Sequence, residues 1–301
     1  MQSSDNNTIK GISLGVLASL IWGSWPVFSK VASLQHLSPV DIVTLRFIVS
    51  GVLLLPILIY QAVKLKYLFS KGLLLAIGAG APYAYLATTG ITYSSSAHFG
   101  AIGPSTMLVF STLGSIFLFK EKISLARGLG ISLILAGVVL IASRSFSDGS
   151  EINHAVLMGD FMFVGCGALW ASFTLFSKYW KIPSWVATAM VSVVSGIACI
   201  PFTAQVVQEV PIELILQHGF YQGVLAAIVA LYCYAKSVSY LGASRGAIFA
   251  AFVPPVALIL GVIILGETIN LTESVGLTAV CVGMLFALGL IRMPIIKSRA
   301  V

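Results

Sequence analysis

Residues Lys120–Gly130 read "KEKISLARGLG", and residues Gly266–Gly276 read "GETINLTESVG". Glu121 aligns with Glu267, Gly130 with Gly276, and further on Gly137 meets Gly283. Self-similarity at this separation has to be resolved before any single motif is interpreted, because it decides how many structural units the chain holds. Moving outward, "SSSAHFGAIGP" ending at Pro104 returns as "SRGAIFAAFVP" ending at Pro254, and "YAY" at Tyr83–Tyr85 returns as "YCY" at Tyr232–Tyr234. "VSGVLLLP" ending at Pro56 returns as "VSGIACIP" ending at Pro201, and "LIWGSWPVFSK" at Leu20–Lys30 returns as "ALWASFTLFSK" at Ala168–Lys178. The offset stays between 145 and 150 throughout. The sequence reads as a duplication.

Each copy is built for lipid. Of 301 residues 58% are hydrophobic and 9% charged, with a mean hydropathy of +1.01, too little polar surface to coat a water-soluble globule of this size. Apolar runs long enough to cross a hydrocarbon core of about 30 Å fall near 12–33, 40–60, 72–93, 97–119, 124–143, 156–179, 185–207, 219–240, 244–265 and 271–291. Barrel strands need only about ten alternating residues, so these spans are helices that satisfy their own backbone polar groups. Five spans per copy is an odd number, which turns the second copy upside down in the membrane. The expected fold is an all-α polytopic membrane protein with ten transmembrane helices as two inverted five-helix repeats, 12–143 and 156–291. The polar loop Ser143–Ala155 is the expected linker. The first span is too long for the apolar region of a signal peptide and is expected to be retained.

Charge sets the expected orientation. With the N-terminus cytoplasmic, the inner loops and tails carry thirteen of the 17 basic residues, among them Lys64, Lys66, Lys71, Lys120, Lys122, Arg127, Lys178, Lys181 and Arg245. Eight of the 10 acidic residues, including Asp41, Asp160, Glu267 and Glu273, fall on or near the other side. Both termini are therefore expected inside by the positive-inside rule. The net charge of +7 is an orientation signal rather than a nucleic-acid footprint, since no basic domain exists. Cys166, Cys199, Cys233 and Cys281 all lie in spans and read as small packing residues. HExxH, GxxxxGK[ST] and GxSxG signatures are absent, and no cofactor or metal is called for.

Two five-helix halves, each with a Trp in its first helix, "SPVDIVTLRF" opening the second helix, a Pro in each fourth helix and a Glu after it ("FKEKIS", "LGETIN"), resemble the drug/metabolite transporter superfamily. Within it the chain is similar to the EamA-type branch over about residues 12–291. The resemblance implies alternating access, export or exchange of small metabolites such as amino acids, and a central cavity lined by the first, third, fourth, sixth, eighth and ninth helices. It implies a small-molecule substrate and a lipid environment in the cytoplasmic (inner) membrane, and a monomer or weak homodimer. The second half departs by placing Val191 where Arg46 stands and Gly266 where Lys120 stands.

The candidate cavity residues are Trp22, Ser24, Trp25, Arg46, Tyr83, Tyr85, His98, Trp170, Ser172, Tyr232, Tyr234 and Lys236. Arg46 is costly inside a span unless it is paired or faces water. It reads either as an anchor for a substrate carboxylate, suited to the planar guanidinium fork, or as a structural partner of Asp41 or Asp160. The aromatic residues offer apolar bodies with one polar tip, fitting partly apolar cargo, or else pack the bundle. Ser24 and Ser172 are positioned to bond substrate or their own helices. His98 reads as a carrier of coupling protons or as a satisfied boundary histidine, and Lys236 as a snorkelling residue or a charged gate. Pro104 and Pro254 occupy equivalent places and are candidate gating kinks. The spacings of Gly11/Gly15, Gly219/Gly223 and Gly242/Gly246 suit close helix packing. The competing function class is a membrane-embedded enzyme acting on a lipid-linked substrate, for which only His98 with Ser94–Ser96 approaches a polar cluster.

Overall fold

The computed structural model describes residues 2–121, 123–143, 153–241 and 248–291. Most of the Ser143–Ala155 loop, Lys122, Arg245 and the Gly242/Gly246 pair lie outside the described residues. Among the described residues eight helices are long and apolar enough to cross a membrane: α1 (Asn7–Leu34), α2 (Pro39–Tyr60), α3 (Leu65–Tyr93), α4 (Ser96–Phe119), α5 (Leu125–Ala142), α6 (His154–Tyr179), α7 (Ser184–Glu209) and α8 (Ile212–Leu241). Two shorter apolar helices follow, α9 (Phe249–Leu265) and α10 (Leu271–Ala287). The chain is a helical integral membrane protein. Helices α3 and α8 start several residues before their apolar runs, because "LKYLFSK" and "IELILQH" stay helical where charged side chains can reach the headgroup region.

Helix ends repeat between the two parts of the chain. Ser124 caps α5 by accepting a bond from the Arg127 amide, and Asn270, aligned with it, caps α10 through a reciprocal pair with Glu273. Lys120 ends α4 at φ 54° and Gly266 ends α9 at φ 66°, so the two aligned residues adopt the same left-handed conformation. The third helix of each part is irregular. Helix α3 widens into a π turn at Leu68–Gly72 and breaks at Gly80 before Pro82, where a Cβ would collide with Ser195 Oγ and Ala76 O. Helix α8 carries a longer π stretch, Gly219–Val229.

The main packed pairs are α5 with α10, α2 with α7, α4 with α6, α1 with α8, α3 with α6, α1 with α9, α2 with α8, α3 with α7, and α4 with α9. Glycines make the closest crossings. A Cβ on Gly130 would lie 2.6 Å from Gly283 O, and one on Gly137 would lie 2.5 Å from Gly276 O, so α5 and α10 run antiparallel. A Cβ on Gly51 would lie 2.9 Å from Ser192 O and one on Gly196 2.7 Å from Phe47 O, so α2 and α7 are antiparallel as well. Such backbone-to-backbone approach is how membrane helices gain packing without a hydrophobic drive between them. Gly11 and Gly15 receive Leu241 and the Phe249 ring, and Gly223 receives Val49.

Candidate functional site

A cavity of about 490 Å³ runs from Trp22, Arg46, Trp170 and Tyr234 in the body of the bundle to exposed Lys178, Lys181 and Ser184 at the α6–α7 end. Its wall comes from α1, α2, α3, α6, α7 and α8. Helices α4 and α9 do not line it, contrary to what the resemblance implies. They pack on α1, on α6 and on each other, and the Phe99 ring of α4 fills the space between Trp25 and Phe163.

Of the sequence candidates, Trp22, Arg46, Trp170 and Tyr234 meet on this wall. Trp22 donates its indole N–H to the Ala226 carbonyl (3.2 Å) and tilts against the Tyr234 ring. Trp170 packs edge-on to Tyr83, at 4.8 Å between centroids. Trp25 stands behind the wall, buried, giving its N–H to Gln222 Oε1 (2.6 Å), and Gln222 passes a bond to Ser29. Ser24 is engaged with Tyr221 OH (2.7 Å) and the Ile21 carbonyl, and Ser172 bonds back to Leu169 O. Tyr85 and Tyr232 point out of the bundle, each about half exposed, 48% and 47%. Lys236 is exposed and lies over the Tyr232 ring. Pro104 stays inside an unbroken α4, where the Ser105 and Thr106 hydroxyls donate to carbonyls of the preceding turn. Pro254 instead follows an interruption of α9 at Phe252.

Arg46 has no carboxylate partner among the described residues. Its guanidinium sits 5.4 Å from the Trp25 ring centroid and 5.7 Å from that of Phe47, with the phenols of Tyr83 and Tyr221 as its electrostatic neighbours. Its Nε is buried without a hydrogen bond. The two acids considered as its structural partners are engaged elsewhere. Asp41 closes a capping box with Ser38, and Asp160 holds His98.

The opposite end of the bundle holds a cluster of buried polar groups. His98 lies between two carboxylates, Nδ1 at 2.8 Å from Asp160 Oδ1 and Nε2 at 2.9 Å from Glu273 Oε1, and Ser94 Oγ donates to Asp160 at 2.8 Å. All four residues are at most 5% exposed. Glu267 accepts from the Ser96 and Ala97 amides at the start of α4 (2.8 and 3.2 Å), and Lys30 donates to the Ile91 and Ser94 carbonyls at the end of α3 (2.6 and 3.3 Å). Each charge thus meets the helix terminus of opposite partial charge. The arrangement differs from a Ser–His nucleophile pair, in which serine and acid sit on opposite imidazole nitrogens, because here both nitrogens face carboxylates and Ser94 shares the side of Asp160. Of this cluster the sequence pointed to His98 and, for the competing enzyme reading, to Ser94. Asp160 and Glu273 were legible as carboxylates inside apolar runs, but each lies within two turns of a span end, where acids are ordinarily solvated.

The family model described as EamA-like transporter family matches residues 9–143 and again 157–289. An uncharacterized transporter of Haemophilus influenzae is 26% identical over 81% of this chain and 80% of its own length. The uncharacterized transporter YetK of Bacillus subtilis is 25% identical over 80% of this chain and 75% of its own length. The uncharacterized inner membrane transporter YhbE of Escherichia coli is 27% identical over 56% of this chain and 54% of its own length. A solved crystal structure covers 98% of this chain and 99% of its own, with a TM-score of 0.60 at 17% identity, and so shares the fold.

Proposed function

The chain belongs to the EamA-like transporter family, and on that premise we propose that it is a secondary transporter exporting or exchanging a small metabolite, an amino acid or a related compound, by alternating access across the cytoplasmic (inner) membrane. The observation that carries this reading is a cavity open at the α6–α7 end whose lining includes no residue of the buried polar cluster at the other end, and that cluster is read as the seal there. A pathway accessible from one side and shut at the other is what an alternating site requires.

The two halves, 12–143 and 156–291, are proposed as inverted repeats. Supporting this, each main packed pair maps onto itself or another main pair when a helix is exchanged for the one five places on: α4–α6 becomes α9–α1, and α1–α8 becomes α6–α3. The reciprocal contacts Gly130–Gly283 and Gly137–Gly276 fit the same two-fold relation. Both termini are proposed to be cytoplasmic, since the basic residues gather at the open end. The cargo contacts are drawn from Trp22, Arg46, Trp170 and Tyr234. Protons are the proposed coupling ion and His98 their carrier, because its two carboxylates lie where the seal must part.

Counterflow in proteoliposomes, without ATP, tests the reading. Purified protein should exchange at least one labelled member of a panel of amino acids and related organic acids, faster when a pH gradient is imposed. His98→Gln should retain exchange and lose the pH stimulation. Folded protein that moves no panel member would overturn the proposal.

A further inference from the structure

We infer that the cargo is a small organic anion, a carboxylate on an apolar or aromatic body without an ammonium group, bound by Arg46 and Ser177 in the 490 Å³ cavity. The inference rests on the transporter reading and narrows its substrate class.

Charge on the cavity wall is one-sided. Arg46, Lys178 and Lys181 line it, and among the described residues no aspartate or glutamate does. Lys178 is partly neutralised by Glu121, whose Oε1 lies 2.6 Å from its Nζ, but that pair sits at the exposed mouth. Deeper in, Arg46 stands alone among aromatic rings. Ring faces attract a guanidinium weakly and do not neutralise it, so a buried positive charge remains to be compensated.

Two residues that line the cavity each carry a buried polar atom without a hydrogen-bond partner among the described residues, Arg46 Nε on α2 and Ser177 Oγ on α6. Both residue types donate to a carboxylate, and Arg does so with a planar fork. The rest of the deep wall suits an apolar body. Trp22 offers its ring face, since its N–H is already given to Ala226 O, and Trp170, Phe173 and Ala227 continue the surface. An ammonium group would meet Arg46 repulsion and ring faces, with no carboxylate to receive it. The volume is within the range of small-molecule sites. Lys181 at the mouth raises the local concentration of anions.

Three labelled probes of nearly equal size separate the possibilities: 3-phenylpropionate, phenylalanine and phenethylamine. Equilibrium binding to the purified full chain should favour 3-phenylpropionate over phenylalanine by about tenfold or more, with no binding of phenethylamine. Arg46→Lys keeps the charge but loses the fork, and should weaken 3-phenylpropionate by about tenfold; Arg46→Gln should weaken it by about a hundredfold. Ser177→Ala should weaken it severalfold and supplies the test if the Arg46 variants fail to fold. Tighter binding of phenylalanine or phenethylamine, or unchanged 3-phenylpropionate affinity in folded Arg46→Gln, overturns the assignment. Counterflow separates the two levels. Exchange of phenylalanine, phenethylamine or another ammonium-bearing compound without 3-phenylpropionate removes the anion inference and leaves the transporter standing, whereas folded protein that exchanges none of the three and no member of the wider panel removes both.

Discussion

His98 and Arg46 both place a basic group within an apolar helix, and they differ in what surrounds it. His98 is held between Asp160 and Glu273, away from water. Replacing it with glutamine leaves two buried carboxylates facing a neutral group, and removing one side of a buried ionic cluster costs about 3–5 kcal/mol. His98→Gln should therefore lower thermal stability in detergent markedly. Adding Asp160→Asn and Glu273→Gln should recover much of the loss, since the remaining groups can bond as neutral amides. An unchanged unfolding temperature in the single variant would mean that water already compensates the acids. Glu121 is the contrast. Lys178 holds its exposed carboxyl below the usual carboxylate range, so any stability it adds is present above the unfolded glutamate pKa and fades as pH falls through the lowered folded value. Exposed pairs of this kind contribute little, and Glu121→Gln should leave the acid-unfolding curve essentially unmoved. Arg46 was legible from the sequence because a guanidinium two turns into a span is conspicuous. The carboxylates around His98 were not, because sequence position alone does not tell a boundary acid from a buried one.

Among the elements, the ends of α4 and α9 show how two aligned residues solve one backbone problem differently. Gly266 takes its left-handed φ of 66° without steric cost, while Lys120 takes φ 54° with a Cβ present. A left-handed non-glycine residue is disfavoured by about 1–2 kcal/mol. Lys120→Gly should accordingly raise the thermal midpoint, although the freer unfolded chain offsets part of the gain, and Gly266→Ala should lower it. The α5–α10 crossing gives a sharper case. A Cβ on Gly130 would stand 2.5 Å from Ala287 N and 2.6 Å from Gly283 O, both backbone atoms that no rotamer change can move. Gly130→Ala should destabilise by about 1–3 kcal/mol. Gly128, two residues away with nothing within 4 Å of its would-be Cβ, should accept alanine without loss. Thermal scans of the pair in one detergent decide the matter. Spans and aligned helix ends were readable because apolar length and local capping are sequence properties. The break at Gly80 and the π stretch of α8 were not, since they depend on what packs beside them, such as Ser195 Oγ, which accepts from the Ala81 amide.

At the level of the whole molecule, the proposed repeats differ in conformation although they are related in sequence. Helix α3 is broken at Gly80 while α8 keeps a continuous wide turn, and the polar seal His98–Asp160–Glu273 has as its aligned counterparts Ile248, Ile12 and Arg127, which cannot form it. A two-fold exchange of conformations would therefore open the sealed end without building an equal seal at the other, leaving Lys178 with Glu121 as the nearest charged pair there. Cysteine labelling with a membrane-impermeant thiol reagent can follow this exchange, since Cys166, Cys199 and Cys233 are buried and Cys281→Ser removes the partly buried one. Thr188 borders the open cavity, whereas its aligned residue, Val43, is 5% exposed. Thr188→Cys should react from the α6–α7 side and Val43→Cys should not. Saturating cargo, or acid at the sealed end, should slow the first and expose the second to reagent from the opposite side. Simultaneous labelling of one site from both sides would indicate a continuous pore, because an alternating site never connects the two compartments at once.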